Sequence, residues 1–238
     1  MGIRMILTAF LKTLGQIGDR AFRRVLFLGV GLSVLLLAAI YAAIFFLIGW
    51  LVPDSFTLPW IGEVNWVDEI LSGASFLLMI VMSVFLMVPV ASAFTGIFLD
   101  DVAEAVEARH YPTLPPVAPI PVFDQIRDSL GFLGVVLAVN LVALVLYFFV
   151  GPFAPFLFWA VNGFLLGREY FQMAAMRRLG RQGARDLRSR HGATIFLAGL
   201  LMAVPLSLPL VNLVIPILGA AVFTHLVNRL IAARPAAA

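Results

Sequence analysis

VLFLGVGLSVLLLAAIYAAIFFLIGWLV, Val25 to Val52, runs for 28 residues without a charge, and its reading decides the fold. A membrane-spanning helix needs about 20 consecutive apolar residues. The apolar core of a cleavable signal peptide is shorter, about 7 to 15 residues. This run is therefore expected to stay in the membrane as a span. The rest of the chain agrees: of 238 residues, 62% are hydrophobic and 12% charged, and the mean hydropathy is +1.04. A globular domain is close to half apolar and about a quarter charged. A soluble protein would have nowhere to hide so much apolar surface. The fold class predicted is an all-α integral membrane protein, one polytopic domain over 1–238.

Three further apolar blocks follow. Ile70 to Leu99 holds 30 residues without a charge. Residues 25–52 and 70–99 are each expected to form one long spanning helix, tilted because each exceeds the hydrocarbon thickness; Pro89 is a site for a kink in the second. Leu130 to Gly167 is broken by Gly151, Pro152 and Pro155, so 130–167 reads as a helical hairpin. Ala193 to Asn228 is broken by Pro205, Pro209 and Pro216. The first arm of that block, Ala193 to Val204, has 12 residues. At about 1.5 Å per residue it rises only about 18 Å, short of a bilayer core of about 30 Å. Residues 193–228 are accordingly read as a re-entrant, half-crossing hairpin, with Ser207 and Asn212 available to cap backbone groups freed at the turn. The competing reading is one long span kinked by proline.

Charge gives an independent test. Residues 1–24 carry Arg4, Lys12, Arg20, Arg23 and Arg24; the loop 53–69 has four carboxylates and no base; seven arginines lie between Arg168 and Arg190. With the N-terminus in the cytoplasm, two spans, a hairpin and a re-entrant block four leave every arginine-rich segment inside, as the positive-inside rule asks. A full crossing by block four would put Arg229 and Arg234 outside. Trp50, Trp60 and Trp66 flank or fill the outer loop, as interfacial aromatics do. Within 1–24, Ile3, Ile6, Leu7, Phe10, Leu14 and Ile17 recur at helical spacing opposite Lys12, Thr13 and Gln16, which predicts an amphipathic helix on the cytoplasmic surface.

Candidate functional residues each carry two readings. Arg23 and Arg24 open the first span behind Asp19, a candidate N-cap. Two guanidinium groups beside unpaired helix N–H groups would suit an oxyanion; they would equally serve as topology anchors snorkelling to headgroups. Asp100, Glu104 and Glu107 fall along one side of a helix leaving the second span, either to gate a path or bind a cation, or as a solvated or arginine-paired face. Arg177, Arg178, Arg181, Arg185 and Arg188 recur at helical spacing, which predicts one arginine face on a helix within a cytoplasmic segment, 168–192. Their expected partners are the anionic headgroups of the lipid bilayer or that acidic stripe. No aromatic platform accompanies them, so nucleic acid is not expected. Asn140, Asn162, Asn212 and His225 are polar residues inside apolar blocks, facing either a pathway or a neighbouring helix.

The chain has no cysteine, and no metalloprotease, serine-hydrolase, Walker or dinucleotide motif occurs in it. No enzymatic activity, cofactor or metal site is expected.

Three stretches together resemble the CysZ sulfate permease family, also called the EI24 domain family. They are the Arg23–Arg24 pair, the run Phe94 to Pro112 (FTGIFLDDVAEAVEARHYP), and Trp159 through Arg168-Glu-Tyr-Phe and the arginines to the turns between Pro205 and Pro216. The resemblance implies a bacterial inner-membrane permease taking up sulfate for cysteine biosynthesis, a homo-oligomer with half-crossing helices. It also implies that the basic pair, here Arg23 and Arg24, contributes to sulfate binding. A Gly-Leu-x-x-Glu motif near the family's pore maps onto Gly96, Ile97 and Asp100, with isoleucine for leucine and aspartate for glutamate. The reading from another class is a non-transporting scaffold that organises lipids or partner proteins.

Overall fold

A computed structural model describes residues 2–51, 56–58, 62–64, 100–117, 120–208 and 214–233. The expected second span, 70–99, and with it Gly96 and Ile97, lies outside the described residues, as do Asn212 and Arg234. The chain divides into two compact units, Met1–Leu26 with Phe98–Ala238, and Phe27–Ile97.

Nearly everything described is helical. In chain order the helices are α1 (Gly2–Gln16), α2 (Arg20–Leu51), α3 (residues 100–110), α4 (Val122–Val150), α5 (Ala154–Arg190), α6 (Gly192–Ala203) and α7 (Ile215–Ala232). The exception is a small hairpin in the second unit, β1 (Phe56–Leu58) against β2 (Gly62–Val64), antiparallel with Thr57 opposite Glu63. Among the described residues three helical stretches are long and apolar enough to cross a membrane: Phe22–Ala43, Ile126–Arg190 and Ile215–Ala232. The protein is an all-α integral membrane protein, and its surface says why lipid must surround it. Of the described residues of α4 only Ala143 is buried, while Leu133, Leu137, Leu141, Leu144 and Phe148 are exposed. An apolar face of that extent has no place in water.

In the first unit the core forms around α7. Ala220, Ala221, Phe223 and Leu226 are fully buried. The Phe223 ring stacks on Tyr170 and meets Phe171 edge-on, with centroids at 6.3 and 6.5 Å. Both partners come from α5. Helix α6 lies along α5 at backbone contact: a Cβ on Gly167 would come within 2.6 Å of the Ile195 carbonyl oxygen, and one on Gly163 within 2.8 Å of Leu200 Cα. Small residues permit such approach in membranes, where water does not drive helices together.

Two connections depart from straight helix. Gly151, at φ 50°, opens a short 3-10 turn (Gly151–Phe153) between α4 and α5. Positive φ is disfavoured for residues bearing a Cβ, and Pro152 and Pro155 keep the chain from continuing α4. Inside α5, Gly180 takes φ 65° and ψ −179°. The chain turns back there, because Arg188 Nη1 donates to Gln172 Oε1 at 2.7 Å. In an unbroken helix residues this far apart in sequence would be about 24 Å apart. This corrects the expectation of five arginines on one helical face: Arg177 and Arg178 lie on one arm, and Arg181, Arg185 and Arg188 on the other.

Helix α1 packs within the first unit along one stripe. Its buried residues are Ile6, Ala9, Thr13 and Gln16, while Ile3, Leu7, Leu11 and Leu14 are exposed. Thr13 and Gln16 are turned into the bundle beside the apolar Ile6 and Ala9, and Gln16 Nε2 donates to the Ala105 carbonyl at 3.0 Å. The start of α1 also touches both ends of block four. A Cβ on Gly2 would lie 3.2 Å from Thr194 Oγ1, and Arg229 Nη1 donates to the Met5 carbonyl at 3.5 Å.

Candidate functional site

Arg23 and Arg24 lie in the first turns of α2, and both are exposed. The Arg23 N–H donates to the Asp19 carbonyl at 2.9 Å, the first helical bond, which makes Asp19 the cap residue. The Asp19 carboxylate itself pairs with Arg109. That guanidinium hydrogen bond holds the carboxyl below the usual aspartate range. Among the described residues no carboxylate pairs with Arg23 or Arg24. Flanking Phe22 and Val25 are buried, so the pair is carried on an anchored turn.

The acidic stripe and the first arginine arm meet. Arg177 pairs with Asp100 and, at 3.6 Å, with Glu107. Arg178 reaches Glu107 at 2.6 Å and donates to the Pro115 carbonyl at 2.6 Å. Asn228 Nδ2 approaches the same carboxylate at 3.4 Å. Asp100 is largely exposed, whereas Glu107 and both guanidinium groups are nearly covered. A cavity of about 500 Å³ opens beside this junction, lined by Asp100, Glu104, Glu107, Tyr111, Arg177 and Arg178 with the 112–117 loop. Its arginines are already matched by carboxylates, so an entering anion would have to displace Glu107. Of the two partners expected for the arginine segment, Arg177 and Arg178 take the acidic stripe.

A second polar cluster joins the end of α3 to α7. His225 is fully buried, its Nδ1 3.1 Å from the Tyr111 hydroxyl, and its ring stands edge-on to His110 with centroids at 4.8 Å. Lys12 Nζ sits 5.8 Å above the Tyr111 ring. Burial, with Lys12 and Arg109 nearby, lowers the pKa of His110 and favours its neutral form. His225 stood out in the sequence as polar in an apolar block. Its partners did not, although Arg109-His110-Tyr111-Pro112 closes the run Phe94 to Pro112. No group of three metal-ligating side chains occurs among the described residues. Asn140 and Asn162 return their amides to the carbonyls four residues back, at 2.8 and 2.9 Å, and Ser207 Oγ accepts from Trp159 Nε1 at 3.1 Å rather than capping a helix.

These features define a helical membrane protein with an exposed arginine pair opening a candidate span and a mixed-charge cavity beside the α3–α5 junction. Residues 9–216 match the family model described as sulfate transporter CysZ/etoposide-induced protein 2.4, and the chain belongs to that family. No curated protein and no solved structure gives a significant match.

Proposed function

We propose that the protein is an inner-membrane permease for sulfate or a related oxyanion, supplying sulfur assimilation and cysteine synthesis, with Arg23 and Arg24 as its binding pair. The family match over most of the chain carries this reading. The exposure of both guanidinium groups at the start of a candidate span supports it. Sulfate is a strongly hydrated dianion; a protein must replace its water with directed donors and positive charge. Two planar forks on a helix N-terminus offer both. Changing both arginines to alanine is expected to weaken sulfate binding more than about tenfold, since charged hydrogen bonds contribute roughly 1.5–3 kcal/mol each. A double lysine variant should recover part of it, keeping charge without the fork. Calorimetry on the three proteins, beside uptake of labelled sulfate by proteoliposomes, tests the assignment. Equal affinity in all three would reduce the pair to membrane anchors.

The same proposal places the N-terminus in the cytoplasm and makes block four re-entrant. Its support is that Thr194 and Arg229, at the two ends of the block, both meet the first turns of α1. The 12 residues of α6 rise only about 18 Å. Single cysteines introduced at Ser55, Ser189 and Ala236 should react from the periplasmic side at Ser55 alone. Periplasmic labelling at Ala236 would rule out the re-entrant hairpin. Assembly into a homo-oligomer belongs to the proposal through the family and is read from no contact.

A further inference from the structure

Beyond the reversal at Gly180 the charge balance of the arginine segment changes. Arg181 Nε and Arg185 Nη2 share one carboxylate oxygen, Asp128 Oδ1 of α4, at 3.5 and 3.9 Å. Gln172 Nε2 approaches that oxygen at 3.4 Å. A charge-assisted N–H···O bond closes to about 2.7–2.9 Å, and none of these three does. Arg188 is bound to the group through Gln172, and Arg168 lies close enough to act electrostatically on it. The Arg181 Nε is buried without a hydrogen-bond acceptor among the described residues. Asp186, the carboxylate on the same arm, is approached by Gln182 at 3.4 Å and takes no part. Two guanidinium groups thus share one loosely held carboxylate, and a third, Arg188, lies within its electrostatic reach. Arg177 also has a buried Nε without an acceptor among the described residues, but its Nη1 and Nη2 pair with Asp100 and Glu107, and Arg178 is matched by Glu107 at 2.6 Å.

We propose that Arg181, Arg185 and Arg188 form a second anion site, for a phosphate-type tetrahedral oxyanion, with Asp128 as its displaceable place-holder. An oxyanion offers acceptors on several sides at once, which a single shared carboxylate oxygen does not. It would supply the acceptor that Arg181 Nε lacks. Depth favours the same chemistry. Asp128 lies two residues before the charge-free run that starts at Leu130, and Arg188 lies shortly before the one that starts at Ala193. The cluster therefore sits where apolar surface begins, the level of lipid phosphates. The phosphate can belong to an anionic lipid or be free in solution. The site is separate from Arg23 and Arg24 and does not depend on their role.

Two arms distinguish the sources. Native mass spectrometry of the intact protein in detergent compares retention of phosphatidylglycerol with phosphatidylcholine; calorimetry on delipidated protein titrates inorganic phosphate. Preference for phosphatidylglycerol of about tenfold identifies a headgroup site. Phosphate binding without lipid identifies a free-ion site. In either arm R181Q/R185Q should abolish the effect and R181K/R185K should restore part of it. D128N should tighten binding about tenfold by removing the competing charge, a gain that a misfolded variant cannot produce. The proposal is overturned if wild type shows neither preference nor phosphate binding, if R181Q/R185Q binds as wild type does, or if D128N leaves binding unchanged or weaker.

Discussion

Valine at Gly199 is expected to destabilise the protein by at least about 3 kcal/mol, the upper end of overpacking costs. The reason is what surrounds the glycine. A Cβ there would lie 2.8 Å from the Gly167 amide nitrogen and 2.9 Å from Gly167 Cα, while Gly163 and Gly167 face the α6 backbone at similar range. These neighbours are main chain, not flexible side-chain ends, so no rotamer change relieves the clash. Helices α5 and α6 would have to separate along the whole contact. Separation would also disturb Met202 of α6, which packs against Gly219 of α7. In detergent the unfolding midpoint should fall by about 10 °C, taking roughly 2–4 °C per kcal/mol for a chain of this size. Leu197→Val, on the exposed side of α6, should shift it far less. A Gly199→Val protein as stable as wild type would mean that α5 and α6 do not meet at backbone distance.

That contact shows where sequence reading stops. The glycines of Gly163-Phe-Leu-Leu-Gly167 are visible in the chain, yet spacing alone does not name the partner surface, which Gly199 supplies from the next helix. Proline positions and counting were enough for the 12-residue arm, since a missing N–H ends a helix locally. The arginine segment departs from a single helical face for a related reason. Its residues keep helical spacing across Gly180, and glycine within a helix is tolerated, so the periodicity continues through a point where the chain turns back. Locally determined features were legible: long apolar runs, the capping position of Asp19, and the break at Gly151. Pairings between distant segments were not. Asp128 could have been suspected as a carboxylate two residues ahead of a long charge-free run, but the guanidinium groups above it come from the far side of a reversal. The exposed leucines of α1 agree with an amphipathic helix whose apolar side is left for lipid.

Glu107→Gln should cost about 3–5 kcal/mol, the range for removing one partner of a buried ion pair. Position explains the size. Arg177 and Arg178 are only 10% and 12% exposed, and Glu107 is the covered carboxylate that both reach. Asp100 also pairs with Arg177 but is 64% exposed, so water screens much of its charge. Glutamine keeps the shape and one acceptor, for Asn228 or for one guanidinium, and removes the charge. Two nearly covered cations would then line the 500 Å³ cavity with Asp100, an exposed carboxylate, as the partner left to Arg177. Asp100→Asn should cost no more than about 1 kcal/mol, as exposed pairs do. The two variants therefore separate a structural carboxylate from a surface one in a stripe that the sequence presents as uniform. Adding Arg178→Met to Glu107→Gln should recover part of the loss, because the second change removes one of the stranded charges. Unfolding midpoints of the single and double variants in the same detergent measure this directly. If the double variant is as unstable as the two single losses added together, Glu107 and Arg178 do not hold each other, and Arg177 is the ion-pairing partner that joins α3 to α5 there.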